Sequence, residues 1–186
     1  MKKLLLVGAG GFGKVVLEHA NNDYECRFVD DGVEKGTMVC GCPIVGTIAD
    51  LPLLSKEYSN LVVSIGNNRI REQIYEKARK LGFEFPNIIC KSAYISPYAH
   101  IGCGCIVLNN SVIQNGAIVG NGVILSPGVE IHHDSTVGNN VLIYTNSVIR
   151  SFAHIGDRAW IGSTLTISND VDVPEDAIIK NGRTLY

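Results

Sequence analysis

The sequence predicts a two-part fold, a short α/β unit followed by an all-β parallel β-helix. Two observations carry that prediction. From Ile89 to Ile179 every sixth residue is Ile, Val or Leu, in sixteen consecutive hexads without an insertion. Ahead of that run, a strand-like segment enters Gly8-Ala9-Gly10-Gly11-Phe12-Gly13 and a helix-like segment leaves it.

A period of six fits neither an α-helix nor a hairpin meander, but it fits a β-solenoid whose short strands each turn two side chains inward between tight corners. The second inward place, four residues on, is mostly small or β-branched, as at Ala93, Ala99, Cys105, Ser111 and Ala117. Such a strand is too short to bury a face alone, so each rung is stabilised by stacking on its neighbours. Gly102, Asn110, Gly116, Gly120, Gly138, Asn140 and Gly156 punctuate the run, and positive φ at corners is expected of them. With three hexads per coil, the run makes roughly five coils.

In chain order, residues 2–7 predict a buried parallel strand, 8–13 the glycine turn, and 14–21 a helix. Residues 25–29 predict a second strand, which ends in Asp30-Asp31-Gly32. Strand, G-x-G-x-x-G turn, helix, strand and an acid 17 residues after the last glycine form the context of a nucleotide site. Glycines admit a phosphate to a helix N-terminus, and the acid accepts hydrogen bonds from ribose or base. The turn-rich stretch 36–52 predicts little beyond a short helix over 49–54. A strand over 61–65 then runs through Gly66-Asn67-Asn68-Arg69 into a helix with Ile70, Ile74, Ala78 and Leu81 on one face, closed by Gly82. A last strand over 83–90 enters the solenoid. The expected boundaries are 1–85 for the α/β unit and 86–186 for the β-helix. Eighty-five residues hold one mononucleotide half only, which argues against hydride chemistry.

A net charge of −2 argues against nucleic acid as the main partner. The longest apolar run is far short of a membrane span, and Met1-Lys2-Lys3 leads directly into a strand with no signal-peptide pattern. A cytoplasmic protein is expected. The six cysteines lack zinc spacing and are expected to be reduced thiols.

One polar group stands apart from the corner asparagines: Glu130-Ile131-His132-His133-Asp134. Two histidines and an acid at a corner are costly unless used. A neutral imidazole takes a proton from an amine or hydroxyl near neutral pH, and a neighbouring carboxylate fixes its tautomer. Either His132 or His133 can face the solvent cleft, since a shift of one residue swaps them. No loop leaves the solenoid, so its flat faces suit self-association, with a homotrimer as the common solution.

The combination resembles the sugar acyltransferase family that includes the bacillosamine N-acetyltransferase and the sialic acid O-acetyltransferase of bacterial surface-sugar pathways. The likeness rests on Gly8 to Gly13, Phe28-Val29-Asp30-Asp31, Ile65-Gly66-Asn67-Asn68-Arg69-Ile70-Arg71, Ile95-Ser96-Pro97 and His133-Asp134. It implies a half-Rossmann nucleotide-sugar unit joined to a left-handed β-helix. It further implies acetyl-CoA as co-substrate, no metal, and Gly10, Gly11, Asp30, Asp31 and Gly66 as holders of a uridine diphosphate sugar. His133 then takes the proton from the acceptor, with Asp134 where the family often has Glu and His132 as second candidate. Backbone amides around Ser151 and Ser163, with Asn181 near the chain end, are expected at the thioester and pantetheine arm. Two departures stand out. Leu142 occupies the place of a second histidine, and the glycine-rich tail of many members is replaced by Asn181-Gly182-Arg183-Thr184-Leu185-Tyr186.

The expected activity is N-acetylation of a UDP-linked amino sugar. O-acetylation of a sugar hydroxyl, as on sialic acid, uses the same base and stays open. So does a non-catalytic nucleotide-sugar-binding module. A hexapeptide metalloenzyme needs three converging histidines, and no clear second and third accompany His133.

Overall fold

A computed structural model describes residues 1–186 and divides into two units, Met1–Ile88 and Ile89–Tyr186. In the first unit, β1 (Lys2–Val7) lies between β2 (Tyr24–Val29) and β5 (Asn60–Val63), parallel to both. Leu4, Leu5, Leu6 and Val7 are wholly buried, which is the continuous apolar reading of a central parallel strand.

The glycine turn has specific demands. Gly8 sits at φ +105, and a side chain at Gly13 would collide with the Gly8 carbonyl, so neither position accepts another residue. Helix α1 begins at Gly11, three residues earlier than the sequence suggests, and runs to Ala20. Its N-cap, Gly10, supplies no side chain, which leaves the first-turn N–H groups unpaid by any cap.

The stretch 36–52 holds more order than expected. Strands β3 (Met38–Val39) and β4 (Cys42–Gly46) form a hairpin through Cys40 and Gly41, both at positive φ, and β4 pairs in parallel with β2. The sheet order is β3-β4-β2-β1-β5. A 3₁₀ turn (Ile48–Asp50) and the one-turn helix α2 (Leu51–Leu54) follow. Helix α3 spans Asn68–Lys80, and its N-cap Asn67 accepts a hydrogen bond from the Ile70 N–H at 3.1 Å. Its buried face is Arg71, Ile74, Tyr75 and Ala78 rather than the expected stripe, because Ile70 is exposed. Arg71 is fully buried and donates to the Ile65 carbonyl and to Asn68 Oδ1, both at 2.8 Å. The strand expected over 83–90 reduces to a bridge at Glu84 and the pair Ile88–Ile89.

The second unit is a parallel β-helix of two-residue strands in three sheets of six, five and six strands. Register partners lie 18 residues apart, as in Val112↔Glu130 and Ile118↔Thr136. Three hexads therefore make one coil, and a last strand, Thr184–Leu185, extends the column one hexad beyond Ile179. The inward places form one core from Cys105 to Val173, where each buried aliphatic side chain contributes about 1.5–3 kcal/mol. The inward serines cost little because their hydroxyls donate to carbonyls, Ser111 to Ser126 at 3.1 Å and Ser147 to Gly162 at 2.6 Å.

The corners correct the glycine reading. Positive φ recurs every sixth residue through Asn110, Gly116, Gly122, Gly128, Asp134, Asn140 and onward to Asp176. Gly102, Gly120, Gly138 and Gly156 are not in that series. They form an 18-residue column where coils approach closely, and a Cβ at Gly120 would stand 2.8 Å from Gly138 carbonyl atoms. Beside this column Asn121, Asn139 and Asp157 side chains accept amide N–H groups from the preceding coil. All six cysteines are free thiols. No helix is long and apolar enough to cross a membrane.

Candidate functional site

In the β-helix, the strand Glu130–Ile131 delivers His132 and His133 to a corner that Asp134 turns at φ +59. Asp is suited to that conformation, so one residue both turns the chain and presents a carboxylate. The Asp134 Oδ1 atom lies where a side chain on Gly116, one coil earlier, would stand. The His133 N–H donates to Gln114 Oε1 at 3.1 Å and the Asp134 N–H to the Asn115 carbonyl at 3.2 Å. These contacts tie the corner to the coil before it.

The two histidines differ in their surroundings. His133 Nδ1 is 2.9 Å from Asp134 Oδ2, and its Nε2 is 2.8 Å from Ser151 Oγ. An ionised carboxylate only accepts, so Nδ1 carries the hydrogen and Nε2 presents its lone pair, which the Ser151 hydroxyl meets. The Phe152 ring stands perpendicular to the imidazole at a centroid distance of 5.6 Å. His132 Nε2 instead lies 3.3 Å from Glu130 Oε2. A cleft of about 710 Å³, lined by Tyr94, Tyr98, Gln114, Asn115, His133 and Asp134 among others, opens at this corner, and His132 is not in its wall.

Further along the solenoid, the Ser163 N–H donates to Asn181 Oδ1 at 2.9 Å. The structure thus brings Ser163 and Asn181 together, whereas Ser151 is engaged with His133. Leu142 is buried. No group of three or more His, Cys, Asp or Glu side chains is arranged to hold a metal ion.

In the α/β unit, a separate cleft of about 460 Å³ is lined by Gly10, Gly11, Asp30, Asp31, Ile48 and Ile70, among others. Ser64 and Ile65 line it from the end of β5, and Gly66 is not in its wall. Both Asp30 oxygens hold the turn itself, accepting the Ala9 N–H at 2.7 Å and the Gly32 N–H at 2.8 Å. Asp31 Oδ1 accepts the Ile48 N–H at 2.8 Å. Ile48 and Ile70 gave no signal in the sequence as site residues. They reach the cleft only because α3 turns that face outward and Asp31 pins the loop before α2.

Comparisons with known proteins bear on the fold and the family. The PglD N-terminal domain model matches residues 3–78, and the six-repeat bacterial transferase hexapeptide model matches residues 116–151. The acetyltransferase domain of PglB from Neisseria gonorrhoeae FA1090 is 34% identical, with a TM-score of 0.94 over 100% of this chain and 92% of that one. The chain belongs to the hexapeptide-repeat sugar acyltransferases. The same Neisseria domain in complex with acetyl coenzyme A matches at 35% identity and a TM-score of 0.88, over 98% of this chain and 95% of that one. Perosamine N-acetyltransferase from Caulobacter crescentus, solved with CoA and GDP-perosamine, is 28% identical with a TM-score of 0.94, over 100% and 89% of the two chains. An uncharacterized protein of Acanthamoeba polyphaga mimivirus is 34% identical over 109 residues, 58% of this chain, and the chain spans 21% of its length. As in the family, the solenoid is a left-handed parallel β-helix.

Proposed function

We propose that the chain transfers the acetyl group of acetyl-CoA to the amino group of a nucleotide-linked amino sugar, with His133 as general base and Asp134 as its partner. One observation carries this reading: a histidine in the wall of an open cleft has its Nδ1 held by a carboxylate, which leaves Nε2, met only by the Ser151 hydroxyl, as the basic nitrogen. Such an arrangement takes a proton from an attacking amine while Asp134 stabilises the imidazolium, a step worth about 10²–10⁴ in rate. His132, paired with Glu130 outside the cleft wall, is the weaker candidate.

As the amine attacks, the thioester oxygen gains charge and needs a donor. The Ser151 amide N–H donates to no acceptor within the chain, and the hydroxyl of the same residue lies 2.8 Å from His133 Nε2, so this amide is assigned as that donor. Ser163 and Asn181 are assigned to the pantetheine arm, although the Ser163 amide already has a partner in Asn181. In the α/β unit, the uncapped start of α1 with Gly10 and Gly11 suits a diphosphate. Asp31, with one oxygen uncommitted, suits the nucleoside, and Asp30 holds the turn in shape. Gly66, in the loop between β5 and α3 and outside the cleft wall, is assigned a supporting place only. We assign a homotrimer as the working assembly.

Neighbours that bind acetyl coenzyme A, or CoA with GDP-perosamine, support an acetyl-CoA-dependent reaction on a sugar nucleotide and leave the nucleobase to be tested. The test is thiol release from acetyl-CoA with a panel of UDP- and GDP-linked amino sugars beside sialic acid. Release with an amino sugar nucleotide is expected. Release with sialic acid alone would move the reading to O-acetylation. Silence across the panel, with nucleotides still raising the melting temperature, would leave a binding module.

A further inference from the structure

The coil after His133 places two residues against the imidazole that acetyl transfer by a base and its carboxylate does not require. Ser151 is one coil register from His133, and Phe152 is one register from Asp134. Ser151 is 5% exposed, and its hydroxyl lies 2.8 Å from Nε2. Phe152 packs edge to face on the same ring.

The backbone at Phe152 makes its presence informative. Its φ is +64, and it belongs to the series of corner residues in the left-handed region. Ten non-glycine residues of the chain have positive φ, and Phe152 is the one aromatic among them. For an L-residue with a bulky side chain that conformation is unfavourable. Burial does not offset it, since Phe152 is 46% exposed. Strain of this kind persists where the surrounding structure holds it, and it clusters at active sites.

We propose that Ser151 and Phe152 form a clamp that positions the His133 imidazole: the hydroxyl fixes Nε2 as the base nitrogen, and the ring fixes the imidazole plane. The clamp rests on the reading of His133 as base. With Nδ1–H on Asp134 and Nε2 on the Ser151 hydroxyl, both nitrogens are engaged before substrate arrives, so the ring cannot flip or exchange tautomers freely. When the acceptor amine enters, the hydroxyl gives way and then accepts from the Nε2–H of the imidazolium. Both are positioning residues, acting through His133.

The test combines nitrogen NMR on the full chain labelled with ¹⁵N-histidine with steady-state kinetics and melting. In the parent, His133 is expected as the Nδ1–H tautomer with a hydrogen-bonded Nε2. Ser151→Ala keeps the backbone amide and removes only the hydroxyl. It should move the Nε2 resonance and lower kcat about 3- to 20-fold with acceptor KM unchanged. Phe152→Gly should melt at or above the parent temperature, because glycine adopts this φ freely, and yet lower kcat. A merely structural pair would not separate stability from turnover in this way. Parent His133 resonances and parent kcat in Ser151→Ala, or a Phe152→Gly protein that melts below the parent, would overturn the clamp. Retained turnover in His133→Ala would instead defeat the base reading, while the resonances of His133 still decide the clamp.

Discussion

The Asp134 carboxylate occupies the space that a side chain on Gly116 would fill, one coil earlier in the same corner column. The acid of the candidate dyad is therefore positioned by a glycine 18 residues away. Gly116→Ala adds a Cβ at φ +71 and pushes Asp134 off His133. It should destabilise the chain by about 1–2 kcal/mol and lower kcat, which thermal melts and a thiol-release assay would read together.

Gly120 is needed for a different reason. A Cβ there would meet the Gly138 backbone at 2.8 Å, and backbone cannot rotate away. Gly120→Ala should cost about 1–3 kcal/mol by overpacking. Gly10→Ala, where a Cβ meets nothing within 4 Å, should melt close to the parent.

Asp30 acts on ligand binding through the loop it holds. Its two oxygens tie Ala9 and Gly32, so Asp30→Ala frees the glycine turn and should raise acceptor KM about 10-fold with a small change in kcat. Asp31→Ala should raise the same KM. Unchanged acceptor KM in both variants would remove the α/β unit from substrate binding.

Thiol reactivity offers a pH-dependent check on the sheet. Burial, with the neighbouring Cys42 thiol adding to it, pushes Cys26 up to about 12, and burial also raises Cys42. A raised pKa keeps a thiol protonated and unreactive below that value. Alkylation followed by mass spectrometry from pH 7 to 9 should modify exposed Cys40 first and leave Cys26 unlabelled.

How legible these features are in the sequence follows from how local they are. The hexad period is repeated at every rung, so the solenoid and its 18-residue register can be read from spacing alone. The glycine turn is a contiguous motif, and the His133-Asp134 pair is adjacent in sequence. By contrast, the β3–β4 hairpin is two very short strands joined at Cys40-Gly41, and its pairing with β2 is decided by the sheet. Ile70 fits an apolar stripe, but Asn67 caps α3 with a phase that turns Ile70 outward and Arg71 inward. The two kinds of glycine, one for positive φ and one for close coil approach, look alike until the corner positions are counted in steps of six. Ser151 and Phe152 lie a coil away from His133, and the available signal is a phenylalanine at a corner place that most other rungs fill with Gly, Asn or Asp.

The base assignment is tested most directly by single-turnover acetyl transfer in His133→Ala, with nucleotide binding and melting temperature measured on the same preparation. The expected result is a rate lowered by about 10²–10⁴ with binding and melting near those of the parent. Turnover close to the parent in a folded, nucleotide-binding His133→Ala protein would contradict the assignment.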